Sequence, residues 1–206
     1  LELEGIEVHW LGQSAFKIRH SGLVIYIDPY NIKSTEKADI ILITHEHYDH
    51  CSPADIEKIR SNETTIVCNE KVAGKVQGSV EIIAEGEELE VKGVKIRAVP
   101  AYNANKSFHP KGLGLGFVLE LGGKKIYHAG DTDLIPEMSS LGATDIAMLP
   151  VGGTYTMNAE EAAKAAETIG AKIAVPMHYG VAAGTRADAE KLAELFSGKT
   201  AIMEKE

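Results

Sequence analysis

The feature that most constrains this chain is a buried strand that runs straight into a loop dense with metal-binding groups. The apolar run Ile40-Ile41-Leu42-Ile43-Thr44 is followed at once by His45-Glu46-His47-Tyr48-Asp49-His50. Imidazole nitrogen and carboxylate oxygen suit borderline metals such as zinc. In an extended loop, positions i and i+2 point the same way, so His45 and His47 can grip one metal from one side. Asp49 and His50 arrive half a turn later and can reach a second. The plain alternative is a polar loop with three unrelated histidines. With only 8 His in the whole chain, so tight a cluster argues for a metal.

Composition narrows the classes. The 206 residues suffice for one large domain or two small ones, and 44% hydrophobic with 25% charged residues is ordinary for a globular chain. No apolar run is long enough to span a bilayer. Leu1–Gly5 is acidic and resembles no signal peptide, and Cys51 and Cys68 make no disulfide framework. Together these predict a reducing, cytoplasmic setting. The net charge of −9 argues against a nucleic-acid backbone as partner. The densest cationic pair, Lys124-Lys125, falls in an apparent hairpin and reads as a solvated turn.

Short apolar runs at Ile6–Leu11, Ala15–His20 and Leu23–Asp28 predict an antiparallel start, and Asp39–Thr44 is the strand that delivers the cluster. A helix over 53–60 begins directly behind it, with Ser52 as cap, Pro53 in the first turn and Asp55 at the positive end of the dipole. Thr64–Cys68, Val80–Ala84, Glu88–Val91, Val94–Val99, Phe117–Leu121 and Lys124–His128 are further strands, with a short helix at Lys71–Gln77. The last quarter alternates strand and helix: Asp145–Leu149, Asn158–Ile169, Lys172–Pro176, Ala187–Phe196 and Thr200–Met203. Asn158 caps the first of these helices and Gly170 stops it. No long linker or clear repeat appears, so a single domain over 1–206, two sheets with outer helices, is expected.

A two-metal site needs more ligands than the cluster supplies. Three later segments at strand ends offer them: Phe108-His109-Pro110, Gly130-Asp131-Thr132 and Met177-His178-Tyr179. Taken alone, His109 or His178 reads equally well as a polar loop residue. Their shared placement at strand ends, beside the cluster, makes the candidate metal set His45, His47, Asp49, His50, His109, Asp131 and His178.

The motif Thr44-His45-Glu46-His47-Tyr48-Asp49-His50, then His109, His128-Ala129-Gly130-Asp131-Thr132 and Met177-His178-Tyr179-Gly180, resembles the metallo-β-lactamase superfamily over almost the whole chain. Pro100-Ala101-Tyr102-Asn103, Phe108-His109-Pro110-Lys111 and Val151–Met157 are similar to a branch of metal-dependent hydrolases related to sugar-phosphate lactonases and N-acylethanolamine phospholipase D. The resemblance implies an α/β fold, a four-layer αββα sandwich with the metals at one edge. It implies that His45, His47 and His109 hold one metal, that Asp49, His50 and His178 hold the other, and that Asp131 bridges them. Related sequences often carry His where this chain has Gln13. Oxygen-reducing diiron relatives carry Glu in place of the second His of the cluster and add a flavin partner domain. His47 and the lack of room for such a domain favour hydrolysis.

The expected chemistry follows. Two divalent ions, zinc first and Mn, Fe or Ni as alternatives, would lower the pKa of a shared water from about 15.7 towards 7. The resulting hydroxide would attack a small ester, lactone or phosphodiester, with Asp49 orienting or shuttling the proton. His128 is expected to touch substrate or to steer Asp131 from behind; a satisfied core histidine is the alternative. Tyr102, Asn103, Lys111, Tyr155 and Thr156 are weaker substrate candidates, which packing or solvation would equally explain. Cys51, His9 and His20 need no functional reading. The competing functions are a nuclease of the tRNA-processing type and a non-catalytic metal-binding or sensor protein. No membrane span and a small-molecule substrate are expected; substrate identity and homo-oligomerisation are left open.

Overall fold

The computed structural model describes residues 1–206. Its first sheet contains β1 (Glu2–Leu3), β2 (Ile6–Gly12), β3 (Ala15–His20), β4 (Leu23–Ile27), β5 (Ile40–Ile43), β6 (Thr65–Cys68) and β7 (Ser79–Ile82), neighbours in that order. Helices α1 (Pro53–Ile59) and α2 (Glu70–Ala73) form the crossovers between its later strands. The second sheet contains β8 (Glu88–Val91), β9 (Val94–Ala101), β10 (Gly114–Leu121), β11 (Lys124–His128), β12 (Ile146–Pro150), β13 (Ile173–Met177) and β14 (Lys199–Thr200), with α3 (Ala159–Ile169) and α4 (Arg186–Leu195) as crossovers. Both sheets follow one plan. The first four strands are antiparallel, and the fourth to seventh are parallel.

Side-chain alternation explains the layering. Ile40 and Leu42 of β5 belong to the main core, with Phe117, Leu119 and Ile126 of the other sheet. Ile41 and Ile43 face the opposite way, among Ile56, Ile59 and Val72 of α1 and α2. A strand covered on both sides reads as an unbroken apolar run, as this one does. On the far side, the small residues Ala162, Ala165 and Ala166 let α3 sit against the second sheet. The result is the αββα sandwich.

Several elements differ from the sequence expectation, among them a strand at Glu2–Leu3 and a 3-10 helix at Pro136–Ser140 that it did not include. Strand β10 begins at Gly114 rather than Phe117. Glycine is a poor strand former, yet a Cβ on Gly116 would lie 3.1 Å from the carbonyl oxygens of His128 and Ala129. Helix α2 is short, ending at Ala73 with Gly74 as its cap. The last strand covers only Lys199–Thr200; the chain beyond crosses to the first sheet, where Glu206 N–H donates to the Trp10 carbonyl. No helix is long and apolar enough to cross a membrane.

Candidate metal centre

The parallel strands converge on one end of the sandwich, and their C-terminal ends deliver the predicted residues. β5 opens into His45, β11 leads through a tight turn to Asp131, and β13 leads to His178. Gly130 makes the β11 turn at φ +63°, and a Cβ there would sit 2.6 Å from the Leu115 carbonyl, so only glycine fits.

All seven candidate metal-binding side chains meet there. One set is His45, His47 and His109; another is Asp49, His50 and His178; a third joins His45, His50 and Asp131. His45 Nε2 is 3.0 Å from His47 Nδ1, which is 3.3 Å from His109 Nε2. The Asp131 carboxylate reaches both sides: Oδ1 is 3.3 Å from His50 Nε2, and Oδ2 is 3.3 Å from His109 Nε2 and 3.1 Å from His178 Nε2. All but His47 are buried, and the site opens to a cavity of about 370 Å³.

For three of the rings, His45, His50 and His109, the outer partners fix which nitrogen is bare. Thr44 Oγ1 donates to Asp28 Oδ2, so it can only accept from His45 Nδ1 at 3.0 Å. His50 Nδ1 donates to the same Asp28 oxygen at 2.7 Å. His109 Nδ1 lies 3.2 Å from both the Asn103 Oδ1 and the Tyr155 carbonyl. In each case Nδ1 carries the hydrogen outward and the Nε2 lone pair faces the centre. Lone pairs and carboxylates at such distances repel unless a proton or cation lies among them. His50 Nε2 and Asp131 Oδ1 are buried without a hydrogen-bond partner. This donor set fits divalent cations.

The electrostatics agree. Burial opposes charge on His50, but Asp131 and Asp28 outweigh it and hold its pKa well above the ordinary value. Burial also opposes charge on Asp131, yet His178 and His50 hold its carboxyl well below the usual range. Burial and His50 push His45 well down. The backbone is strained around the site as well: Gln13, Asp28 and His178 have φ of +52°, +47° and +57°. Gln13 Nε2 donates to Asp49 Oδ2 at 2.9 Å, and its carbonyl accepts from His178 N–H. Position 13 therefore supports the Asp49 side of the centre.

His128 stands behind the turn that carries Asp131. It is 0% exposed and does not border the cavity. Its Nε2 donates to the Ser14 carbonyl at 2.9 Å and its Nδ1 accepts from Gly130 N–H. Both ring nitrogens are committed to backbone, and burial lowers its pKa, so the ring is a neutral core group. It touches Asp131 only through the Gly130 turn. Tyr102 and Lys111 also lie elsewhere, joined on Glu137, with the ammonium 4.9 Å from the Tyr102 ring centre. Thr156 is buried. Asn103 sits behind His109, and Tyr155 alone of the five borders the cavity. Cys51 is buried and burial raises its pKa, which does not suit a thiolate nucleophile.

The sequence reading missed Asp28 and Asp133. Asp28 follows β4 directly and, before Pro29, reads as a strand terminator. Asp133 accepts from Asn103 Nδ2, the N–H groups of Ala104 and Asn105, and Lys106 Nζ. It thereby ties down the loop that carries His109. Asp133→Ala leaves those donors unmet and frees the loop. We expect metal affinity at the His109 side to fall about 10–100-fold, read by competition with a chelating dye. An unchanged affinity would remove Asp133 from the support of His109.

A family model described as the beta-lactamase superfamily domain matches residues 7–178. The chain belongs to that superfamily. A relative from Thermococcus onnurineus (strain NA1), named a UPF0173 metal-dependent hydrolase, is 37% identical over 215 residues, covering 96% of this chain and 95% of its own length. The chain is also similar to a crystal structure from Parabacteroides distasonis ATCC 8503, with TM-score 0.88, 33% identity and coverage of 98% and 94% of the two chains. Igni18, described as a metallo hydrolase from Ignicoccus hospitalis, aligns with TM-score 0.79 and 28% identity over 97% and 95%. These likenesses extend over nearly the whole chain.

Proposed function

We propose that this protein is a dinuclear metal-dependent hydrolase, a single domain acting on a small ester, lactone or phosphodiester. The observation that carries the reading is the position of Asp131, whose carboxylate lies within 3.3 Å of His109 from one group and of His50 and His178 from the other. The relatives named metal-dependent hydrolases support the reaction class. His45, His47 and His109 would hold one divalent cation, Asp49, His50 and His178 the other, and Asp131 both; zinc suits the nitrogen-rich set best. Such a pair would acidify a shared water and polarise the oxygen of the bond under attack.

The chain's own groups supply the rest. Gln13 holds Asp49 by Oδ2, which leaves Oδ1 to orient the water and take its proton. Asp28, Asn103 and the Tyr155 carbonyl keep the imidazoles in the tautomers that face inward. Walls of buried residues around Asp131 and His178 limit bulk water.

Elemental analysis after reconstitution should give two metals per chain, and a panel of lactones, esters and diesters should yield turnover. Substantially less than one metal per chain would end the reading. Metal binds the folded state, so chelation also destabilises. At free metal 100 times the dissociation constant, one site contributes about 2.7 kcal/mol. EDTA should therefore lower Tm by about 5–10 °C. A melting curve indifferent to EDTA would show that these residues hold no ion tightly.

A further inference from the structure

The walls of the cavity differ from its floor. Above the imidazoles and carboxylates stand Tyr48, Phe108, Tyr155 and Ala182. Five large hydrophobic side chains are exposed on this molecule; Tyr48 at 68% and Phe108 at 47% are two of them, and Val181, next to Ala182, is a third. Exposed apolar groups gathered at one mouth mark a binding surface. The rings are braced. Phe108 meets Tyr155 edge to face at 4.8 Å, and Tyr48 meets Tyr30 in the same manner at 5.7 Å. Two aromatic ledges thus flank the opening.

Charge points the same way. No lysine or arginine lines the cavity. Four cations on the surrounding loops are already paired: Lys75 with Glu46, Lys106 with Asp133, Lys111 with Glu137 and Arg186 with Glu204. A phosphorylated substrate would find no side-chain cation beyond the metals, on a chain of net charge −9. Recognition of phosphate groups normally recruits arginine or lysine.

We propose that the site takes uncharged esters or lactones with an apolar acyl chain or ring substituent, held between Tyr48 and the Phe108–Tyr155 pair, in preference to phosphodiesters and sugar phosphates. This rests on the hydrolase reading above. In the reaction, water's oxygen bonds to the carbonyl carbon and the carbon–alkoxy bond breaks. One water proton goes to the departing alkoxide and the carboxylic acid formed releases the other to solvent.

The test uses metal-reconstituted protein, 4-nitrophenyl esters from acetate to octanoate, and bis(4-nitrophenyl) phosphate. Burial of methylenes predicts kcat/KM rising about two- to fourfold per added carbon until the cavity is full. The diester should be the poorest substrate. Phe108→Ala should flatten the dependence on chain length; Phe108 is half exposed, so its loss leaves the core intact. Ile82→Ala, an exposed apolar side chain away from this cavity, should keep the profile. Calorimetric binding of methyl ketones of matched length gives a second reading that needs no turnover. A flat chain-length profile, or preference for the diester, would overturn the proposal. Absence of turnover on every substrate would instead defeat the hydrolase reading, while ketone affinity independent of length would still overturn the apolar rim.

Discussion

Asp131→Ala will abolish hydrolysis while leaving the fold in place. Asp131 is the group that faces His50 with one oxygen and His109 and His178 with the other. Alanine removes the shared carboxylate, so the two groups of imidazoles lose their link and their principal negative charge. The carboxylate lies outside the main core, so the fold should persist, but it is the buried partner of His50 and His178, so the metal-free melting temperature should fall and folding should be checked by circular dichroism. Turnover should fall by at least about three powers of ten, which corresponds to about 4 kcal/mol of transition-state stabilisation. Metal content, measured on the same sample, should drop towards one ion per chain. The combination separates an enzyme from a protein that only binds metal. A properly folded Asp131→Ala variant with full turnover would sink the dinuclear mechanism. If the native chain turned over nothing in the panel while holding two ions, a metal-binding role would take its place.

The centre was unusually legible in the sequence because part of it is linear. His45 through His50 lie in one loop, and strand alternation alone places His45 and His47 together. His109, Asp131 and His178 needed a further step, their positions at strand ends, and the superfamily resemblance grouped them. What stayed hidden depends on contacts distant along the chain. Asp28 meets His50 only because β4 and β5 are parallel neighbours. Nothing in Asp28-Pro29 distinguishes a second-layer carboxylate from an ordinary strand end. His128 shows the converse. Its motif suggested a role at the site, but alternation along β11 turns it inward, where Ser14 satisfies it. Lys111 is only two residues from His109, yet the chain turns at Pro110 and the ammonium reaches Glu137 instead. The shared plan of the two sheets was also invisible. Strand direction is set by pairing and crossover, and neither leaves a repeat in the sequence.

Asp28→Asn should disable the site without removing a single metal-facing residue. Asp28 is 0% exposed, and its carboxylate accepts from Thr44 N–H at 2.8 Å, Thr44 Oγ1 at 2.6 Å and His50 Nδ1 at 2.7 Å. Asparagine keeps the shape but replaces one acceptor oxygen with an NH₂ donor. If its oxygen still serves Thr44 N–H, the NH₂ faces His50 Nδ1. The ring then switches tautomer, so that Nδ1 accepts and Nε2 carries the hydrogen. That hydrogen points at Asp131 Oδ1, 3.3 Å away, and occupies the lone pair a cation needs. The tautomer switch should cost about two to four powers of ten in turnover and lower affinity for the second ion. Nitrogen-15 NMR of the His50 ring in the metal-free protein, at a pH high enough to leave the ring neutral, would report the switch directly, a signature that mere loosening of the fold would not produce. Asp28→Ala is the contrasting variant. It leaves buried donors unmet at about 1–3 kcal/mol each, so its damage should appear first in the melting temperature. Native turnover, native metal content and an unchanged His50 tautomer in Asp28→Asn would show that this carboxylate does not set the imidazole that faces Asp131.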